Sequence, residues 1–371
     1  MRLNKNSEKT AIFFSNPFGY GPTGKIIALL DNFSKLWKGN IVCVANGLTS
    51  EMHDFKNNKK VIFTRIDERN EKEIIRLLKR LKNPYVVSSL NRFAIKSAIF
   101  LNKPSAVIDS LAWFWKKIPE EYLLADFYYC QKIPGVPIRK ISKNQKFVPA
   151  ILGNLPKPLK RKDDFTLIHI GGILNPLIKE IPEYYLKTLA CCINNYNSEE
   201  KIIVAGGKKA ILFLKKHIHR KNIRLGSFPR KKFINYVNSA KHFVTTSGLT
   251  ATLEAFSLRT PTSFLLPTNL SQWALANNLS HKKYITLKMS WEKYIKKSKL
   301  STSLNEKDAI AIILSYGGQL YSNNSLLRIF MNDFNKILAY PPQIENQLKF
   351  INKMGTNGSQ IIAEDLISVW S

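Results

Sequence analysis

The first half of the chain alternates short apolar runs with stretches of helical period. Ala11 to Ser15 is an apolar run with two aromatics, the pattern of a strand buried on both faces. Gly19 to Lys25 reads as a turn, and Ile26 to Trp37 repeats its apolar residues at helical spacing. Asn40 to Ala45, Lys60 to Arg65, Tyr85 to Ser89 and Ser105 to Asp109 read as four more strands, with helices over Glu71 to Leu81 and Arg92 to Leu101. Strands that alternate with helices imply a parallel sheet covered on both faces.

The pattern then breaks. Residues 153–164, GNLPKPLKRKDD, are rich in Pro and Lys and carry no apolar period, which is how a linker reads. Alternation restarts beyond it. Strands are expected at Phe165 to Ile170, Lys201 to Ala205, Ile223 to Leu225, His242 to Thr246 and Thr262 to Leu266. Helices are expected over Ile181 to Asn194, the basic stretch after Gly207, Phe233 to Ser239 and Thr250 to Ser257. The reading is therefore α/β, with two doubly wound Rossmann-like domains, 1–152 and 165–350, facing a cleft. Residues 351–371 follow, and an amphipathic helix over Gln360 to Trp370 is able to cross back onto the first domain. In such sheets ligands sit outside the carboxyl ends of the strands, and a cleft between domains favours a ligand site.

Composition narrows the class. With 371 residues, 44% hydrophobic and 22% charged, the chain can bury two ordinary cores. The polar opening MRLNKNSEKT has no basic-then-apolar leader, and the four cysteines form no CxxC pair or Cys/His ligand spacing. A reducing cytoplasm is the expected location. The formal charge of +31 points to solvated lysine faces, on Glu71 to Lys82 and Lys208 to Arg224, or to an anionic partner such as a membrane surface. A bias toward Lys, Asn and Ile weakens the second inference. No RNP motif, zinc finger or KH loop is present, so specific nucleic-acid binding is not expected.

The strongest chemical signal is HFVTTSGLTATLEAFSLRTPTSFLLPTNLSQWALANN, residues 242–278. A strand ends at Thr246, Ser247 and Gly248 make a tight turn, and a helix opens near Thr250. Free N–H groups and the positive end of the helix dipole suit a diphosphate there. Gly248 allows close approach of the backbone. Glu254 lies one turn beyond Thr250, where its carboxylate can accept from a ribose diol. Asn269 and Gln272, in the polar loop after the next strand, can read sugar hydroxyls. The paired glycines Gly171-Gly172 and Gly206-Gly207 end the first two strands of the second unit and suit approach to a nucleotide.

This segment resembles the donor-binding region of MurG-type glycosyltransferases, which have the GT-B architecture. Ser247, Gly248, Thr250, Glu254, Pro261, Pro267, Gln272 and Asn277 match the pattern over about forty residues. Related patterns occur in the sugar-nucleotide hydrolase PseG and in cytosylglucuronate synthase. The resemblance implies a nucleotide-sugar donor, UDP-linked, and no further cofactor. By it, Glu254 holds the ribose, Ser247 to Thr250 the phosphates, and Asn269 and Gln272 the transferred sugar. Phe228 would lie beside the base, by stacking or simply as core. The acceptor is left open among a small molecule, a lipid-linked sugar and a nucleoside. MurG-like chains continue the first glycine pair with Ser-Gly and carry a His in the first loop; Ile173-Leu174 and no His stand here.

Two further signals concern the first unit. Gly19-Tyr20-Gly21-Pro22-Thr23-Gly24-Lys25 fits the spacing of a P-loop, but Ile26 stands where a Mg²⁺-binding hydroxyl is needed, which argues against an NTPase. As an acceptor loop, Gly19, Gly21, Thr23 and Gly24 would shape the turn. Lys25 would then offer charge to the leaving diphosphate, unless it is an exposed lysine on a glycine turn. Asp109, ending a strand, is the candidate general base, the alternative being a cap for the next helix, as Ser110 also could be. Trp113, Phe114 and Trp115 read as core more than as acceptor contacts. No Asp-x-Asp pair appears, so no catalytic metal is expected. The expected activity is an inverting, metal-independent glycosyl transfer; the alternatives are a PseG-like hydrolase and a non-catalytic GT-B protein that binds an anionic partner.

Overall fold

The computed structural model describes residues 8–51, 60–174, 177 and 181–370. The chain divides into two compact units, one ending at Asn154 and resuming at Asn352, the other spanning Leu155–Ile351.

The first unit contains β1 (Thr10–Ser15), α1 (Gly21–Leu36), β2 (Asn40–Val44), β3 (Val61–Thr64), α2 (Glu71–Arg80), β4 (Pro84–Ser89), α3 (Arg92–Phe100), β5 (Ser105–Asp109), α4 (Glu120–Leu124), β6 (Phe127–Gln131) and β7 (Gln145–Val148). Its sheet has the order β3-β2-β1-β4-β5-β6-β7 and is parallel throughout. Successive residues of β1 explain why the strand reads as uniformly apolar. Ala11 and Phe13 enter the core shared with Phe33 and Trp37, whereas Ile12 and Phe14 enter the core shared with Ile74 and Leu78. Both faces are covered, so no alternation with polar residues is possible. Strands β6 and β7 extend the five strands expected from the sequence. FYYCQ and QKFV are short; only the five-residue α4 precedes the first and a Pro- and Lys-rich turn the second, so no long helical crossover announces them.

The C-terminal helix α14 (Gly358–Trp370) belongs to this unit and packs on α1. Ile362, Ala363, Leu366 and Trp370 join the core that holds Phe33. The Trp370 ring meets Tyr85 at 5.1 Å and Phe127 at 6.1 Å, and Tyr129 donates to Asp365 at 2.6 Å. The entry to α14 is tight. Gly358 N–H donates to Ala150 O at 3.0 Å, and a Cβ on Gly358 would collide with the Pro149 carbonyl oxygen.

The second unit contains β8 (Asp163–Ile170), α5 (Glu183–Asn194), β9 (Lys201–Gly206), α6 (Lys208–His217), β10 (Ile223–Gly226), α7 (Arg230–Ser239), β11 (Ala240–Thr245), α8 (Leu249–Ser257), β12 (Thr262–Phe264), α9 (Leu270–His281), α10 (Trp291–Tyr294), α11 (Glu306–Ser322), α12 (Asn324–Ala339) and α13 (Glu345–Met354), the last of which runs into the segment that resumes at Asn352. Its parallel sheet has the order β10-β9-β8-β11-β12. The Lys-rich stretch before β8 is fastened to this unit. Lys162 Nζ donates to Asn238 O at 2.6 Å and Leu258 O at 3.0 Å, and Asn238 accepts from Leu159 N–H at 3.1 Å.

Gly358→Ala should lower stability by about 1–3 kcal/mol, because the added methyl meets backbone that cannot step aside. Denaturant unfolding of the full chain checks this, and a change below about 0.5 kcal/mol would mean that the α14 entry can yield.

Candidate functional site

Strand order selects one place in each sheet. In the second, the chain runs from β8 outward to β9 and β10, then returns to β11 on the other side of β8. The crevice beyond the carboxyl ends of β8 and β11 is the switch point, where open α/β sheets bind ligands. The register pairs Thr245 with His169. Immediately beyond lie Gly171-Gly172 on one side and Thr246-Ser247-Gly248 on the other.

These segments are bonded together. Thr246 N–H donates to His169 O at 3.1 Å, and its hydroxyl donates to Gly171 O at 2.7 Å. Ser247 is buried, with its hydroxyl donating to Gln272 O at 2.8 Å. The Gln272 amide nitrogen donates to Gly171 O at 3.1 Å, while its oxygen accepts from Thr268 N–H at 2.9 Å and the Thr268 hydroxyl at 3.0 Å. Gly172 has φ +72°, and a Cβ there would lie 2.6 Å from Gln272 Nε2. Gln272 is thus a clamp on the glycine loop. Asn269 is committed as well, since its Oδ1 caps α9 by accepting from Gln272 N–H at 3.0 Å. The polar loop expected over Thr268 to Gln272 is therefore a cap followed by a helix. The two side chains expected to read a sugar also hold the loop in shape.

Burial explains the other glycines. A Cβ on Gly171 would strike the His169 imidazole, which is half-buried, pushed down to about 4 by desolvation, and paired through Nδ1 with the Thr245 hydroxyl at 2.9 Å. A Cβ on Gly206 would lie 2.6 Å from Ile170 Cγ1, and Gly207 is the N-cap of α6. Gly248 is different. Its φ of −72° is open to any residue, and a Cβ there would meet only Thr246 O, at 3.8 Å. Neither backbone nor packing demands glycine at this position. It is the N-cap of α8, with no side-chain cap and no acid in the first turn, so the first N–H groups, Thr250 among them, keep the polarity that attracts an anion.

Glu254 lies in α8 with 2% of its surface exposed, and its Oε1 accepts from Arg230 Nη1 at 2.5 Å. The sequence reading did not single out Arg230. It opens α7, after Pro229, and only tertiary packing of α7 against α8 brings it to the carboxylate. Phe228, half-buried, covers Gly226 and meets Tyr236 edge-on at 4.9 Å, with Arg224 and Lys232 near both rings. That ring packs within this cluster.

In the first unit the switch point lies between β1 and β4, and Asp109 ends β5, the next strand beyond β4. The stretch Gly21 to Lys25 is the first turn of α1 rather than a loop, because Pro22 suits the opening of a helix; Gly24 N–H donates to Tyr20 O at 2.9 Å. Only Gly19, with φ +67°, keeps turn geometry, and Thr23 is buried against Ser15, hydroxyl to hydroxyl at 3.1 Å. Lys25 is fully buried, and its Nζ donates to Gln131 Oε1 at 3.1 Å and Ile151 O at 2.9 Å, so it faces the interior and not a diphosphate. Asp109 is also fully buried. It accepts from Tyr128 OH at 2.8 Å, Leu111 N–H at 2.7 Å and Trp115 Nε1 at 3.1 Å. Burial pushes its pKa up to about 6 against those bonds. A carboxylate enclosed in this way holds the turn after β5 and is not placed as a base. What does gather at this edge escaped the sequence reading. Leu90 adopts φ +58°, and its carbonyl accepts from Asn16 Nδ2 at 2.9 Å. Asn91 Nδ2 bridges Ser15 O and Glu68 O, and Glu68, 3% exposed and pushed up to about 7 by burial, takes the Thr49 hydroxyl.

No protein-family model matches the chain, and no curated protein matches its sequence. Solved structures do match. MurG of Acinetobacter baumannii aligns with a TM-score of 0.52 at 13% identity, over 97% of this chain and 99% of its own. A UDP-glucosyltransferase of Polygonum tinctorium aligns at 0.56 and 12%, over 99% of each chain. A putative UDP-N-acetylglucosamine 2-epimerase of Listeria monocytogenes aligns at 0.54 and 12%, over 98% and 96%. The fold is GT-B. Within the GT-B chain, no helix among the described residues is long and apolar enough to cross a membrane.

The enclosed Asp109 carries a pH signature. Its folded pKa, about 6, lies above its ordinary value of 3.8, so the folded state holds this proton more tightly than the unfolded chain. Its contribution to stability is therefore full below the unfolded value and is lost as pH rises through the folded one. Asp109→Asn should flatten the fall in stability between about pH 4 and pH 6 relative to the wild type, read by urea unfolding across that range. Parallel curves for the two proteins would show that the proton is not held.

Proposed function

We propose that this chain is a glycosyltransferase that takes its sugar from a UDP-linked donor held at the carboxyl edge of the second sheet. The observation that carries this reading is Gly248, a glycine that the fold does not require, at the uncapped N-terminus of α8 beside the switch point. Space above a helix N-terminus is where a diphosphate is stabilised by N–H groups and the helix dipole. Glu254, on the same helix, supplies the acceptor group that a ribose hydroxyl needs. The GT-B neighbours named for UDP-sugars support the nucleotide. The resemblance to MurG-type sequences supports inversion. The sequence has no Asp-x-Asp pair, and this supports transfer in which main-chain N–H groups and the α8 dipole, rather than a cation, stabilise the departing diphosphate.

A second reading, conversion of the UDP-sugar without an acceptor, has its own support. One neighbour is named as a 2-epimerase, and Asp109 is enclosed rather than presented to an incoming hydroxyl. The two readings separate on product. NMR of UDP-sugars incubated with the protein in EDTA should show no change until an acceptor is added; a free sugar or an epimer formed without one would favour the second reading.

Two variants test the donor site. Gly248→Val should fold with a loss of no more than about 1 kcal/mol, yet weaken UDP binding at least about tenfold, because the side chain fills the space left for the phosphates. Glu254→Ala should weaken UDP about tenfold or more, since hydrogen bonds to a charged group contribute roughly 1.5–3 kcal/mol. Calorimetry with UDP reads both, and wild-type affinity in both variants would place the nucleotide elsewhere.

A further inference from the structure

We infer that Arg230 is a positioning residue for ribose recognition: it fixes the Glu254 carboxylate so that its second oxygen meets the sugar of the nucleotide. The inference rests on the donor-site reading above and extends it to a residue that the sequence pattern does not mark.

Glu254 sits in a helix whose neighbouring residues, Leu253, Ala255 and Phe256, are all buried. A carboxylate at 3% side-chain exposure needs a hydrogen-bonding partner there. Arg230 provides it, at 11% side-chain exposure, through Nη1 to Oε1. The position of Arg230 is not explained by its own helix. It opens α7, where a cation opposes the helix dipole, and Lys231 and Lys232 follow it. A guanidinium is planar and holds a carboxylate in a defined plane, whereas an ammonium holds it as a point charge. The Arg230 bond occupies Oε1, so Oε2 is the oxygen the geometry leaves to a hydroxyl donor. Arg230 would then act on the nucleotide through Glu254, and its removal should erase the distinction between ligands with and without ribose hydroxyls.

The test compares UDP with 2′,3′-dideoxy-UDP by calorimetry, in the wild type, Arg230→Met and Arg230→Lys. Wild type should prefer UDP by at least about tenfold, the ratio expected for a charged hydrogen bond. Arg230→Met should bring the ratio close to one, with Arg230→Lys between the two. A merely structural ion pair predicts a different result: both ligands weaken together and the ratio survives, which would overturn the proposal. If Arg230→Met does not fold, Arg230→Lys decides. It keeps the charge and loses the fork, so a ratio several-fold below wild type supports positioning and an unchanged ratio refutes it. A wild type that binds UDP without preferring it would remove the ribose role of Glu254 and this inference together. Absence of any UDP binding would instead remove the donor reading itself.

Discussion

A parallel strand buried on both faces can present chemistry only at its ends. Ala11 to Phe14 divide between two cores, Phe165, Leu167, Ile203, Ala205 and Phe243 pack into one face of the second sheet, and the alternate residues Ile168, Ile202, Val204 and Val244 are buried on the other, so neither sheet offers a free face for a ligand. What is left is the carboxyl edge, where strands stop and helices begin. Strand order then narrows the edge to one crevice in each sheet, between β1 and β4 and between β8 and β11. The polar residues of interest in both units collect around those crevices.

Most of that polarity holds loops in place. Gln272 uses both ends of its amide on Gly171 and Thr268, Asn269 caps α9, and Asp109 takes three donors around the turn after β5. Buried polar groups that are fully paired make a loop rigid, and leaving one unpaired would be costly. The consequence is a division of labour. Side chains shape the crevice, and the backbone N–H groups at the start of α8 carry no side-chain cap. The proposed recognition of a diphosphate by main chain fits this economy, because it needs space above a glycine more than it needs a particular side chain.

The net charge of +31 does not select the site. Lysines appear on helix faces in both units, and several of them act locally. Lys25 and Lys162 bond main-chain carbonyls, Lys146 pairs with Asp365, and Lys293 pairs with Asp333. A sequence rich in lysine can thus place cations in structural roles that have nothing to do with a ligand.

Apolar period and glycine punctuation determined, without any structure, that the chain forms two doubly wound units. They also indicated that the segment around Ser247 and Gly248 is a strand, a turn and a helix, because buried parallel strands and helix starts leave local signatures. The β6 and β7 strands left none, being short and set among turns. Side-chain direction was decided by tertiary structure alone. Lys25 and Asp109 occupy positions that read as reactive along the chain, yet both point inward, since α1 begins at Gly21 and Tyr128 rises beside β5. Arg230 is the converse. Its place after a proline says nothing of its partner, and only the packing of α7 on α8 carries it to Glu254, twenty-four residues away. A sequence states which groups exist and how the chain turns locally; which of them are enclosed, and which meet across elements, depends on contacts between residues far apart in it.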